Sequence, residues 1–340
     1  MFIIHLPDKK INRFACLYEN KLPWQHSNTK FCNALAFLIK ICYTVFMRKA
    51  LRTTLTIFLI ILLTLSTYAV CFFSGYKTYK NVRYADAENC VMDIYIPKKA
   101  YNREYNGCVL FIHGGSWSGG DKKEEFLRCR YVANKGYITA SINYTLYSEA
   151  TADTYNVGIV LDEISAALEY LKNFAKEKGI TIDKAAVSGY SAGAHLSMLY
   201  AYSRAETSPL EIVFTANLAG PADLNVEIWG ERATVVGERL SGQKFTAEML
   251  ENGQAEKILY SLSPTSYITA NSPPSIFVYG GKDTTVDKAN GESLKAKFDG
   301  AGVDYDYIFL PKANHLLLRN LGKRLSYPRK IIEYCKKYFA

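Results

Sequence analysis

Gly189-Tyr190-Ser191-Ala192-Gly193 is the stretch on which the reading of this sequence turns. It has the form G-x-S-x-G, entered through Lys184-Ala185-Ala186-Val187-Ser188 and left through Ala194-His195-Leu196-Ser197-Met198-Leu199. The entry has strand character and the exit is helical, so the serine is expected on a tight strand-to-helix turn. There its hydroxyl stands clear of the sheet, where a base can take the proton and turn a poor nucleophile into a good one. Glycines two residues to either side leave space that so sharp a turn denies to a Cβ. The pentapeptide alone recurs by chance, so its weight depends on whether a base, an acid and an oxyanion site lie elsewhere in the right order.

The surrounding elements suit it. Val91–Ile96 alternates and stops at Pro97, as a strand near a sheet edge does. Cys108–Ile112 is continuously apolar, the pattern of a strand covered on both faces, and 137–142 reads similarly. Leu161, Ile164, Leu168 and Leu171 fall on one face of a helix expected over Val160–Lys178. Strands follow at 185–188, 212–218, 275–279 and 305–310, while Tyr76–Glu88 reads as a linker. Strands alternating with helices imply a mostly parallel central sheet with helices on both faces, one α/β domain over 82–340. Asp223–Leu262 interrupts the alternation with a polar, partly helical excursion containing Trp229, Phe245 and Met249; a lid and packing helices are equal readings of it.

A serine nucleophile needs a base and a group to orient that base. The domain holds three histidines, His113, His195 and His315. His195 shares a helix with Ser191 and reads as packed; His113 precedes the serine. In a strand–turn–helix site of this kind the acid and then the histidine follow the serine along the chain, which selects His315, just after the strand at 305–310. For the acid, Asp283 in Gly280-Gly281-Lys282-Asp283 lies nearest a strand end; Asp287 suits a helix cap better, and Asp223 is third. The run His113-Gly114-Gly115-Ser116-Trp117 follows a buried strand, and its glycines let backbone N–H groups face a ligand. With the N–H of Ala192, those of Gly114 and Gly115 complete an oxyanion hole on paper. Trp117 and Tyr190, beside these groups, are the expected substrate contacts.

At these residues the chain resembles the α/β-hydrolase superfamily, in particular the carboxylesterase branch of hormone-sensitive-lipase-like and bacterial feruloyl- or acetyl-esterase-like domains. The matching pieces are Asp93-Ile94-Tyr95-Ile96-Pro97, His113-Gly114-Gly115-Ser116-Trp117, Gly119-Gly120-Asp121-Lys122 and Asn143-Tyr144-Thr145-Leu146, then Gly189 to Leu196, Ser263-Pro264, Gly281-Lys282-Asp283 and His315. The resemblance implies an α/β-hydrolase fold with Ser191 as nucleophile, His315 as base, Asp283 as orienting acid and Gly114, Gly115 and Ala192 as oxyanion donors. It implies hydrolysis of a carboxylic ester through an acyl-enzyme, with short acyl groups on carbohydrate favoured, and no cofactor or metal. A serine peptidase on short peptides and a non-catalytic membrane-tethered binding module are the alternatives. Three departures stand out, the first being that no part of Asp223–Leu262 aligns with the family. Thr145 takes the place of the usual arginine, and Leu316-Leu317 follows His315 where a small residue and Phe are common.

The charge distribution narrows the partners. The chain of 340 residues carries a formal +9, but residues 1–52 hold nine Lys/Arg against two acidic groups. The remainder is nearly neutral, which excludes a nucleic-acid groove. None of the eight cysteines forms a C-x-x-C pair, so a structural zinc site is not expected; buried thiols are expected ahead of disulfides, which export of the domain would allow. From Leu55 to Phe73 no residue is charged, a length that as a helix spans roughly 28 Å. Arg48, Lys49 and Arg52 precede it, so 53–75 reads as a transmembrane anchor with the catalytic domain outside the membrane. A cleaved signal peptide and then a lipoprotein at Cys71 are the next readings, with a buried core helix as the bland alternative to all three. Residues 1–46 fit neither a domain nor a signal, as they would if translation starts at Met47.

Overall fold

The computed structural model describes residues 36–41, 43, 44, 47, 51, 53–64, 75–102, 107–317 and 319–340. The chain divides into two compact units, 1–68 and 69–340. In the first, residues 53–64 are helical, and the apolar side chains from Leu55 to Leu63 are exposed. Among the described residues no helix is both long and apolar enough to cross a membrane. Residues 65–74, the second part of the expected span, lie outside the described residues, as do 1–35.

The second unit is built on an eight-stranded sheet: β1 (Tyr76–Arg83), β2 (Val91–Pro97), β3 (Gly107–Ile112), β4 (Ile138–Ile142), β5 (Lys184–Tyr190), β6 (Glu211–Leu218), β7 (Ser275–Gly280) and β8 (Tyr305–Leu310). Their spatial order is β1-β2-β4-β3-β5-β6-β7-β8. The β1–β2 and β2–β4 pairs are antiparallel and the remaining ladders parallel. The segment expected to be a linker is therefore partly β1, and the sheet already begins at Tyr76, ahead of Val82. β1 is an edge strand with three lysines or arginines and a bulge between Tyr79 and Val82, so neither continuous apolarity nor clean alternation marks it.

Alternate residues of the central strands face opposite layers, as the twofold period of a strand requires. Cys108, Leu110 and Ile112 of β3 pack into one apolar core, with α2 (Val157–Glu177) and α3 (Ala192–Ser203). Val109 and Phe111 enter the other, with α1 (Phe126–Asn134) and α9 (Ser326–Tyr338). Asn156 caps α2 by accepting from the Ile159 N–H at 3.3 Å. The thiols Cys90, Cys108, Cys129 and Cys335 are all buried and unbridged.

Four helices fill the excursion between β6 and β7: α4 (Val226–Trp229), α5 (Arg232–Ser241), α6 (Ala247–Glu251) and α7 (Gln254–Leu262). Trp229, Ala233, Leu240, Leu259 and Leu262 bury themselves in the larger core, so packing is one of its roles. α8 (Ala289–Ala301) then covers the same face through Leu294 and Phe298.

Candidate active site

Ser191 leaves β5 at φ 53° and ψ −121°, a backbone conformation that costs a residue with a Cβ on the order of 1–3 kcal/mol. The surroundings enforce it. The Ser191 N–H donates to the Leu218 carbonyl at 2.8 Å, and the His195 N–H closes the first turn of α3 onto the Ser191 carbonyl at 3.0 Å. The flanking glycines are dictated by contact: a Cβ on Gly193 would lie 2.1 Å from the Ile112 oxygen, and one on Gly189 would lie 2.2 Å from the Gly193 carbonyl carbon. β5, the end of β3 and the start of α3 thus approach closely enough to project the serine side chain from the sheet.

The structure brings the three sequence-selected groups into one hydrogen-bonded chain. His315 Nδ1 donates to Asp283 Oδ2 at 2.8 Å, and the Ser191 hydroxyl lies 3.0 Å from His315 Nε2. A carboxylate can only accept, so the imidazole proton sits on Nδ1 and Nε2 is left to accept from the hydroxyl. Asp283 is buried, and its second oxygen accepts from the N–H groups of Thr285 at 2.8 Å and Val286 at 2.9 Å. The competing acids are engaged elsewhere. Asp287 accepts from the Ala289 N–H at the start of α8, and Asp223 accepts from Asn225 Nδ2 and the Ser293 hydroxyl.

Facing the serine, Gly114 approaches so closely that a Cβ there would stand 3.3 Å from Ser191 Cβ. Among the described residues no acceptor takes the N–H of Gly114 or Gly115. Ala192 is the first residue of α3, where an N–H has no acceptor within the helix. Gly114, Gly115 and Ala192 thus each carry an N–H without a backbone acceptor among the described residues, and Gly114 lies against the serine.

The polar atoms of the remaining expected site residues bond within the domain. Trp117 is buried, and its indole N–H donates to His195 Nδ1 at 3.3 Å; His195 Nε2 in turn donates to the Leu262 carbonyl at 2.9 Å. Burial holds His195 neutral, its pKa pushed down to about 4. The Tyr190 hydroxyl donates to the His315 carbonyl at 3.1 Å, and burial, then the Asp283 charge, raises its pKa to about 12. His113 stacks on Tyr144, whose hydroxyl donates to the His113 carbonyl at 3.0 Å; burial lowers the His113 pKa. Thr145 meets a buried carboxylate: its N–H donates to Glu163 Oε2 at 2.8 Å and its hydroxyl bonds Oε1. After His315, Leu317 takes a left-handed φ of 54° and buries its side chain, while Leu316 is exposed.

Other supports escaped the sequence reading. Lys122 is buried and pairs with Asp93 Oδ1 at 3.0 Å while donating to Asn81 Oδ1 at 2.8 Å, tying the tail of the glycine loop to β1 and β2. From the excursion, Arg239 bonds the Ser116 carbonyl at 3.1 Å and Arg232 the Thr285 carbonyl at 3.1 Å. The excursion thus touches both the glycine loop and the acid loop. It also shapes a cavity of about 370 Å³ lined by Asp223, Asn225, Val226, Glu227, Glu256, Leu259, Tyr260 and Ser263, to which none of Ser191, Asp283 and His315 contributes.

Compared with known sequences, residues 92–298, more than half of the chain, match the BD-FAE family. The chain belongs to the BD-FAE family. The match takes in Gly114, Gly115, Ser191 and Asp283 and stops short of His315. This BD-FAE chain is 26% identical over 218 residues to esterase LipQ of Mycobacterium tuberculosis, covering 61% of this chain and 49% of that protein. It is 34% identical over 116 residues to gut esterase 1 of Caenorhabditis elegans, covering 32% and 20%. It thus spans about half the length, or less, of these curated relatives. Among solved structures, a truncated carbohydrate esterase from gut microbiota superposes with a TM-score of 0.64 at 17% identity, over 78% of this chain and 97% of that one. Esterase B of Lactobacillus rhamnosis gives 0.60 at 18%, over 83% and 96%. The superpositions agree with the α/β-hydrolase fold built up from the strands.

Proposed function

We propose that this BD-FAE protein is a serine carboxylesterase. One observation carries the reading: the Ser191 hydroxyl lies on His315 Nε2, whose other nitrogen is held by the buried Asp283. In this reaction His315 takes the serine proton as Oγ attacks the ester carbonyl. Negative charge then develops on the former carbonyl oxygen, and the N–H groups of Gly114, Gly115 and Ala192 stabilise it, each worth about 3–4 kcal/mol. His315 returns the proton to the departing alcohol, leaving an acyl group on Ser191. Water repeats the sequence, and the acid leaves. The esterase names of LipQ and gut esterase 1 support the reaction class, and the carbohydrate esterase among the structural neighbours favours acylated carbohydrate as substrate.

Ser191→Ala is expected to abolish hydrolysis of p-nitrophenyl acetate while leaving the circular dichroism spectrum unchanged; retained turnover would overturn the reading. A fluorophosphonate, which labels only an activated serine, separates an enzyme from a binding module on the same fold. A panel of esters varying acyl length and alcohol tests the substrate, with acetylated oligosaccharides expected to give the highest kcat/KM.

We propose in addition that 53–75 is a membrane anchor or an export signal, with the catalytic domain on the far side. The exposed apolar helix at 53–64 and the preceding Arg48, Lys49 and Arg52 support this. Recovery of full-length protein in the cytosolic fraction would sink it.

A further inference from the structure

Three consecutive residues of the glycine loop, Gly115, Ser116 and Trp117, have φ values of 113°, 53° and 59°. Only glycine adopts that region readily, so a turn that places two side-chain-bearing residues there persists only if its neighbours hold it. Its ends are held from within the domain. The Gly115 carbonyl accepts from the N–H groups of Ser118 and Gly119, both at 3.0 Å, and the Trp117 carbonyl accepts from the Tyr147 N–H at 2.8 Å. The Trp117 indole is fixed on His195. The middle carbonyl, that of Ser116, is bonded among the described residues by one group alone, the Arg239 guanidinium at 3.1 Å. That guanidinium is itself set by stacking 4.8 Å above the Tyr147 ring, which packs edge-on against Tyr155.

We propose that Arg239, carried in on α5 of the excursion, is a positioning residue for the oxyanion turn. By holding the Ser116 carbonyl it keeps the peptide planes of the turn left-handed and the Gly114 and Gly115 N–H groups aimed at the place where charge develops beside Ser191. Were the turn to relax, those planes would rotate and the donors would swing out of line with the oxyanion. The excursion is then a component of the catalytic geometry as well as a packing layer. The inference rests on the serine-esterase reading.

The test measures kcat and KM for p-nitrophenyl acetate, and the affinity of an aryl boronic acid, on the full chain and its Arg239→Ala and Arg239→Lys variants. The boronic acid forms a tetrahedral adduct on Ser191 with an oxygen in the hole. Arg239→Ala is expected to lower kcat about 10-fold, with KM within about twofold and boronate affinity falling in step with kcat. Arg239→Lys, which keeps a donor but loses the planar stack, is expected to recover part of both. Unchanged kcat and boronate affinity would overturn the proposal. So would a rise in KM alone, which marks a substrate contact, or equal losses in both variants that track the unfolding midpoint. If Arg239→Ala does not fold, Tyr147→Leu removes the stack and leaves the arginine; a smaller fall in kcat supports the proposal and an unchanged kcat overturns it. Fluorophosphonate labelling of the wild type separates the two readings. A wild type neither labelled nor active refutes the esterase, whereas a labelled, active wild type matched by its Arg239 variants refutes only the role of Arg239.

Discussion

His195 stands inside α3, one turn beyond Ser191 and fully buried, whereas His315 stands on the loop after β8, 124 residues along, with part of its ring open to the site. The nearer histidine in sequence is the one that cannot reach the serine hydroxyl. Both of its nitrogens are committed, one accepting from Trp117 and one donating to the Leu262 carbonyl. His315 commits only Nδ1, to Asp283, and turns Nε2 to the serine. What separates a fully committed imidazole from an available one here is the second nitrogen. Where it meets a backbone carbonyl the ring locks the fold together; where it meets a hydroxyl it can move a proton.

The sharpest way to break this contrast is to exchange the losses. His315→Ala is expected to reduce kcat for p-nitrophenyl acetate by roughly 10⁴-fold or more, because removing the base disables the whole serine relay. His195→Gln, whose carboxamide can still accept from Trp117 and donate to Leu262, is expected to stay within about 10-fold of wild type. Comparable losses in steady-state kinetics would show that His195 belongs to the chemistry.

The next test uses acid. With its pKa held at about 4 by burial, His195 is neutral in the folded chain where an unfolded chain, with an ordinary histidine pKa near 6.5, takes up a proton. Its contribution is therefore fully present above about pH 6.5 and is lost progressively as pH falls toward 4, a change on the order of 3 kcal/mol. His113, lowered by burial as well, acts in the same direction. Denaturant melts from pH 7.5 to 4 are expected to show this loss, and His195→Gln should flatten much of it. An equal slope in the variant would place the acid sensitivity elsewhere.

The same distinction between committed and available groups explains what could be read in advance. The central strands were legible because burial on both faces leaves an uninterrupted apolar run such as Cys108–Ile112. The hydrogen-bonded chain of Ser191, His315 and Asp283 was legible because few histidines compete and chain order selects among them. β1 was not, since an edge strand half open to solvent tolerates lysines and a bulge that erase its pattern. Nor was the left-handed Ser116–Trp117 turn: nothing in that dipeptide demands a positive φ, which is imposed by Tyr147, His195 and Arg239 from distant parts of the chain. Trp117 and Tyr190 read as substrate contacts because they adjoin the reactive groups, but their polar atoms hold His195 and the His315 carbonyl.

Thr145 extends the comparison to a carboxylate. It satisfies both oxygens of the buried Glu163, which forms no ion pair among the described residues. Thr145→Val preserves shape and leaves one oxygen without its hydroxyl partner. An unfolding free energy lower by about 1–3 kcal/mol is expected from urea denaturation. A neutral result would mean that Glu163 does not depend on Thr145 for its satisfaction.

The smallest effect belongs to Tyr190, where the two expectations for one side chain differ in sign. Tyr190→Phe keeps the ring that lies against His315, with centroids 5.2 Å apart, and removes only the hydroxyl donating to the His315 carbonyl. A partly exposed neutral hydrogen bond is worth about 1 kcal/mol, which in a domain of this size shifts the unfolding midpoint by about 2–4 °C. Because the bond holds the backbone of His315 and touches no reacting atom, kcat is expected to fall by less than about fivefold with KM unchanged. If the hydroxyl instead binds substrate, KM rises and the midpoint stays where it was. Measuring both on the one variant decides whether Tyr190 supports the base or reads the ester.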